Sequence, residues 1–156
     1  MTGFYHVCFT VPELEAAMRD LTAAAGVRWS DPVASSIGDC DYRIVFTRGG
    51  PPFIELIQAA PGGPWGDTGA AGFHHLGWWT SDIAAGTDRL AAAGLPQAFT
   101  GCPLGRPFAY HRLDSIGAHV ELVEAGRQPG FIDTWNPGGR PMPAIDEEAH
   151  PWNQSH

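Results

Sequence analysis

Two histidines and two glutamates, His6, Glu55, His75 and Glu121, occupy positions from which they could hold a divalent cation. The histidines lie in matching segments, Gly3-Phe4-Tyr5-His6-Val7 and Gly72-Phe73-His74-His75-Leu76, at an offset of 69. The glutamates sit in Ile54-Glu55-Leu56 and Val120-Glu121-Leu122 at an offset of 66, and loop insertions or deletions totalling three residues reconcile the two spacings. A strand glutamate between apolar neighbours points to the opposite face from them. If those neighbours bury against a helix, the carboxylate faces the hollow side of a curved sheet, where an ionised group needs a compensating charge. No Lys or Arg recurs at a matching position in both halves. One divalent ion held by two imidazoles and two carboxylates meets the need, and mixed nitrogen and oxygen donors suit Zn, Fe, Ni, Co or Mn alike. Such an ion polarises a carbonyl oxygen so that the neighbouring C–H becomes acidic, and Glu121 or Glu55 is the nearest candidate base.

A single histidine or glutamate in a strand most often lies on the wet face of a sheet; repeat equivalence of all four argues otherwise. His74 matches Tyr5 in the repeat and falls with Leu76 and Trp78, so it reads as packing or support for its neighbour. His111, His119, His150 and His156 have no repeat equivalent and read as non-ligands, although His119 shares the parity of Glu121. Strand alternation turns Phe4, His6 and Cys8 toward the hollow, with His75, Gly77 and Trp79 in the second half. The substrate-binding candidates are Phe53, Trp79, Phe108, Tyr110 and His111, with Ile57 on the parity of Glu55. That wall is aromatic and apolar and fits a small organic molecule carrying a polar oxygen pair. Arg43, Arg106 and Arg112 are conceivable anion anchors and read as solvated.

These residues need a duplicated scaffold, and the sequence carries one. Each half continues from its histidine segment into an alanine-rich helical stretch, Glu13 to Leu21 and Asp82 to Leu90, that runs into small residues and a stopping glycine, Gly26 and Gly94. Strand-like segments follow: roughly Trp29 to Gly38, Tyr42 to Thr47 and Phe53 to Ile57, then Leu95 to Thr100, Phe108 to Leu113 and His119 to Val123. The expected fold is α+β: two tandem βαβββ modules, residues 1–58 and 72–125, forming one curved mixed sheet around a metal site. Residues 59–71, with Pro61-Gly62-Gly63-Pro64, read as a linker. Residues 126–156 read as an irregular tail lying over the body or a partner subunit through Phe131, Trp135 and Trp152.

Composition narrows the function classes. With 156 residues, 44% hydrophobic and a net charge of −8, the chain is an acidic globular protein and a poor partner for nucleic acid or an anionic membrane. It has no apolar run near the roughly 20 residues that span a bilayer, and no signal-like N-terminus. Three scattered cysteines (Cys8, Cys40, Cys102) read as buried small apolar side chains in a reducing compartment, so the cytoplasm is the expected location. A homodimer is expected, with modules paired side by side or swapped between chains.

The paired His and Glu positions, Gly72-Phe73-His74-His75-Leu76 followed by Asp82-Ile83, and Ile54-Glu55-Leu56-Ile57 together resemble the vicinal-oxygen-chelate superfamily over about residues 3 to 125. That superfamily includes glyoxalase I, methylmalonyl-CoA epimerase, extradiol dioxygenases and antibiotic resistance proteins. The pattern is nearest to the epimerase-like and glyoxalase-I-like branches. The resemblance implies a metal on His6, Glu55, His75 and Glu121 that binds adjacent oxygens of a small carbonyl substrate. It also implies an isomerase, epimerase or lyase, with a ferrous dioxygenase or a non-catalytic resistance protein as alternatives. With 9 Lys+Arg and no lysine, the chain offers little for the carboxylates of glutathione or the phosphates of coenzyme A.

Overall fold

The structure is a computed structural model that describes residues 2–66 and 69–147; His150, Trp152 and His156 lie outside them. The first half runs β1 (Phe4–Thr10), α1 (Leu14–Ala25), β2 (Val33–Ile37), β3 (Cys40–Phe46) and β4 (Phe53–Ala59). The second repeats it as β5 (Gly72–Thr80), α2 (Ile83–Ala92), β6 (Gln97–Thr100), β7 (Phe108–Leu113) and β8 (Ala118–Glu124). All eight strands join one curved sheet in the order β2-β3-β4-β1-β5-β8-β7-β6. In each half the first strand pairs parallel with the last, and the halves meet at the antiparallel pair β1–β5. The sheet is therefore mixed, and its four central strands are the four that carry His6, Glu55, His75 and Glu121.

The helices begin and end for local reasons. Gly26 closes α1 in the left-handed region at φ 66°, with its N–H donating to the Thr22 carbonyl at 2.8 Å. Asp82 caps α2 by accepting from the Ala85 N–H at 2.9 Å. Leu14, Ala17, Met18 and Leu21 of α1 pack on Val11, Val45 and Leu56. Gly86 lets α2 approach β8 so closely that a Cβ there would stand 2.9 Å from Leu122 Cδ1. With both helices packed outside, the concave face is left for a cavity.

The segment after β8 departs from the sequence expectation of an irregular tail: residues Gln128–Trp135 form a third helix, α3. Pro129 and Gly130 read as breakers, yet proline is tolerated in a helix's first turn because its missing N–H has no partner there anyway. Phe131 of α3 packs against Tyr5, Phe46, Phe53 and Trp79, at ring distances of 5.3, 5.0, 5.3 and 5.6 Å. Beyond it the chain is tied back by Gln128, which exchanges two hydrogen bonds with the Met142 backbone (2.6 and 2.8 Å), and by Asp146, which accepts from Thr80 Oγ1 and Ser81 N. Phe131→Ala should lower unfolding stability by about 2 kcal/mol, below the roughly 3 to 5 kcal/mol of a fully buried aromatic because the ring is only half-buried. Urea melts read this directly, and an unchanged midpoint would show that α3 is not part of the cooperative core. Of the cysteines, Cys8 and Cys40 are buried as expected, whereas Cys102, in a short turn before β7, is exposed.

Candidate metal centre and its cavity

Strand register brings the four residues together. Glu55 lies across from Cys8, and Cys8 across from His75. His6 lies across from Gly77, and Gly77 across from Glu121. Each histidine thus faces a small residue, Gly77 or Cys8, two positions after the other histidine. A Cβ on Gly77 would stand only 2.0 Å from Cε1 and 2.3 Å from Nδ1 of the His6 ring.

The side chains converge within a single chain, so no swapped partner is needed to assemble them. His6 and His75 are fully buried (0%), and Glu55 and Glu121 nearly so at 6% and 7%. The two Nε2 atoms are 2.9 Å apart. Glu121 Oε2 lies 3.1 Å from His6 Nε2 and 3.3 Å from His75 Nε2. Glu55 stands farther off, at 3.8 Å from His6 and 3.4 Å from His75. Donors about 2.1 Å from a common ion are spaced about 3.0 to 3.4 Å from one another in octahedral to tetrahedral arrangements; the other edges lie close to this range, and Glu55 stands somewhat long from His6 at 3.8 Å. The ligand atoms of His6, Glu55 and His75 all lie within 4.8 Å of one another, close enough to share an ion. His6 Nδ1 is buried without a partner, which leaves Nε2 as the nitrogen engaged by the cluster.

Charge supports the same reading. Burial alone would pull the His75 imidazole down, but the Glu121 and Glu55 carboxylates outweigh it and push it up to about 9. Burial would raise Glu121, and the two imidazoles instead hold it down at about 2. The site thus draws positive charge, from a proton where no cation is bound. The sign of the linkage follows. A group raised in the folded state contributes stability that is complete below its unfolded value of about 6.5 and lost as pH rises through about 9. Chelator-treated protein should therefore melt at progressively lower temperature between those pH values. Metal-loaded protein should hold its melting temperature there, because a cation takes the deprotonated imidazole. A flat profile for the chelated protein would contradict the coupling.

His74 sits behind His75, with their Nδ1 atoms 2.8 Å apart, and its ring also bonds the Pro64 carbonyl. A partner at Nδ1 orients the His75 ring and leaves its Nε2 for a cation. Burial and the neighbouring imidazoles pull His74 down to about 3, so it stays neutral. His119 stacks on His74 at 4.8 Å, outside the cluster.

Above the cluster lies a cavity of about 180 Å³ whose lining includes Glu55, Glu121, Phe46, Ile57, Phe108 and Tyr110. Phe108 and Tyr110 were expected there; the other wall candidates need correction. Phe53 is wholly buried in the core with Phe46 and Trp135. Trp79 stacks on Tyr5 at 4.1 Å in that same core. His111 points under α2, facing the Leu95 carbonyl at 2.8 Å and Thr87 at 3.4 Å. The register of β1 shifts between Phe4 and His6, and this irregularity turns Tyr5 to the cavity and leaves Phe4 against Trp78. The segment read as a linker also contributes: Trp65 is buried, donates to Tyr110 Oη at 3.0 Å and lines the cavity. A lone tryptophan among glycines and prolines was the available signal for it. Arg43 pairs with Glu15 and Arg112 with Asp114, both in solvent as expected, whereas Arg106 lines the cavity.

A family profile described as the Glyoxalase/Bleomycin resistance protein/Dioxygenase superfamily matches residues 5–110. No curated protein matches the sequence. Among solved structures, methylmalonyl-CoA epimerase from Mycobacterium tuberculosis is 20% identical with a TM-score of 0.58, over 78% of this chain and 87% of its own. A Streptomyces coelicolor methylmalonyl-CoA epimerase variant in complex with 2-nitronate-propionyl-CoA is 16% identical, TM-score 0.56, over 80% and 97%. A hypothetical protein from Bacillus halodurans is 16% identical, TM-score 0.59, over 78% and 92%. At these identities the likeness is one of fold.

Proposed function

The chain belongs to the Glyoxalase/Bleomycin resistance protein/Dioxygenase superfamily, and from that premise we propose that it is a metal-dependent enzyme that moves a proton on carbon beside a carbonyl: an isomerase, epimerase or lyase acting on a small, largely apolar substrate. One observation carries this reading: two imidazoles and two carboxylates, all buried, meet at the floor of a cavity with aromatic walls. His6, Glu55, His75 and Glu121 would hold one divalent ion. When bound, that ion supplies Lewis acidity to two adjacent substrate oxygens.

The chain's own residues do the rest. Glu121 lies nearest both imidazoles and anchors the ligand set. Glu55, the more distant carboxylate, is the looser one and takes the substrate proton at a carboxylate oxygen. Cys8 is buried beside Glu55 and donates to it, which steadies the carboxylate. Tyr5 and Tyr110 are held well above the ordinary phenol range by burial and then by the two carboxylates. They therefore face the cavity as neutral phenols. Phe46, Ile57 and Phe108 exclude water. Methylmalonyl-CoA epimerases are among the solved structures that share this fold, at 16 to 20% identity. We also expect a homodimer whose sites are each complete in one chain.

The test is deuterium exchange from solvent into the carbon next to the carbonyl of small carbonyl compounds, followed by NMR with metal-loaded protein. Exchange that chelator abolishes supports the proposal; no exchange in any compound with metal bound would sink it. A second reading, a ferrous dioxygenase, rests on His6, Glu55 and His75, two histidines and one carboxylate that could hold an ion by themselves. Oxygen uptake by iron-loaded protein with catechols separates it from the first.

A further inference from the structure

The cavity carries a charge that neither the metal centre nor the apolar walls require. Arg106 lies in the turn between β6 and β7 and reaches across to the first module. There Nη1 donates to Tyr42 Oη at 3.0 Å, and Nη2 donates to Ser35 Oγ at 3.2 Å and the Ser36 carbonyl at 2.9 Å. All three acceptors are neutral. Among the described residues no carboxylate pairs with Arg106, although it is half-buried and lines the same cavity as Glu55 and Glu121.

The turn that presents it is tightly built. Its backbone N–H donates to the Gly101 carbonyl at 3.0 Å, and Gly105 before it takes a φ of 72°. A Cβ on Gly101 would stand 2.5 Å from the Arg106 carbonyl oxygen. Arg127 adds a second, exposed cation to the lining, again with no ion-pair partner among the described residues.

Charge accounting across the cavity then gives a direction. Two carboxylates and one divalent ion cancel at the floor, so the guanidinium of Arg106 is left uncompensated at the wall. Nη1 spends one N–H and Nη2 spends both, so Nε–H and one Nη1–H of this half-buried, pre-positioned guanidinium remain to donate to an anionic acceptor such as a carboxylate. Although the chain as a whole carries −8, Arg106 and Arg127 make this side of the cavity locally positive.

We propose that Arg106 is the specificity residue of the site and that the substrate is a small organic anion, with its vicinal oxygens at the metal end and a carboxylate on the Arg106 guanidinium. This rests on the metal-enzyme reading and revises its substrate class, from a largely apolar carbonyl compound to an anionic one. The cavity of about 180 Å³ lies below the roughly 300 Å³ of ordinary ligand pockets, so a short acid fits it and a nucleotide-bearing thioester does not enter whole.

The experiment uses protein loaded with cobalt(II), with uptake measured first by elemental analysis. Calorimetric titration then compares 2-oxo diacids of four, five and six carbons with the 2-oxo monoacids of equal length. Each pair shares the chelating end and differs only in the distal carboxylate. The expected result is a preference of about tenfold or more for at least one diacid. Arg106→Met should reduce the ratio of diacid to monoacid affinity to about one; Arg106→Lys should keep part of the preference. If Arg106→Met does not fold by circular dichroism, Arg106→Gln and the wild-type comparison decide. No preference at any length, or a preference that survives loss of the guanidinium, overturns the inference. Failure to bind cobalt overturns the metal reading and this inference together; cobalt binding without preference overturns this inference alone.

Discussion

Replacing Gly77 by alanine should lower divalent-metal affinity by about 10- to 100-fold while the chain still folds. Gly77 touches no cation, and its effect is steric. It lies between His6 and Glu121 in the strand register, and the His6 ring rests directly over its Cα. A methyl group there would occupy the space of Cε1 and Nδ1, so the ring must rotate out of the cluster or β1 must separate from β5. His6 is fully buried beside aromatic rings, Tyr5 at 4.3 Å and Phe46 at 5.6 Å, which leave it little room to move aside. The strain should also remove about 1 to 3 kcal/mol of stability, the usual range for overpacking a filled interior. Equilibrium dialysis with zinc or cobalt checks the affinity and urea melts check the fold. A variant that folds and binds metal as the wild type does would show that His6 need not sit where the structure places it.

Glu55→Gln should separate metal holding from proton transfer. The amide keeps an oxygen donor and the side-chain shape, so at saturating metal the protein should still carry about one ion per chain. It cannot accept a proton, however, and exchange at substrate carbon should fall by about 10² to 10⁴. The asymmetry of the cluster motivates the choice: Glu55 stands 3.4 and 3.8 Å from the imidazoles, against 3.1 and 3.3 Å for Glu121. NMR exchange rates at matched metal occupancy read the effect. Full exchange in the variant would move the base role to another group.

Much of this arrangement was legible in the sequence because duplication turns weak signals into a pattern. One strand histidine means little, but His6 and His75 in equivalent segments, with Glu55 and Glu121 closing the same modules, fixed both the fold class and the cluster. The parts that were not legible depend on breaks in regularity. Alternation put Phe4 in the cavity, and the register shift in β1 put Tyr5 there. Alternation also counted Trp79 and Phe53 as wall, but α3 covers that end of the concave face and makes them core. The helix itself was hidden by Pro129 and Gly130 in its first turn. His111 and Tyr110 are adjacent on β7, so only one of them can face the cavity, and the packing of α2 on β7 takes His111. Arg106 and Trp65 come from connecting segments, where no periodicity indicates direction.

The claim beneath the whole account is that His6, Glu55, His75 and Glu121 share one cation. Elemental analysis of protein purified without added metal, beside Glu121→Ala prepared identically, tests it most directly. The account predicts about one transition-metal ion per wild-type chain and a variant that is folded but nearly metal-free. Wild-type protein that is metal-free and refuses zinc, cobalt, nickel, iron and manganese alike, or a variant that retains the wild-type complement, would contradict it.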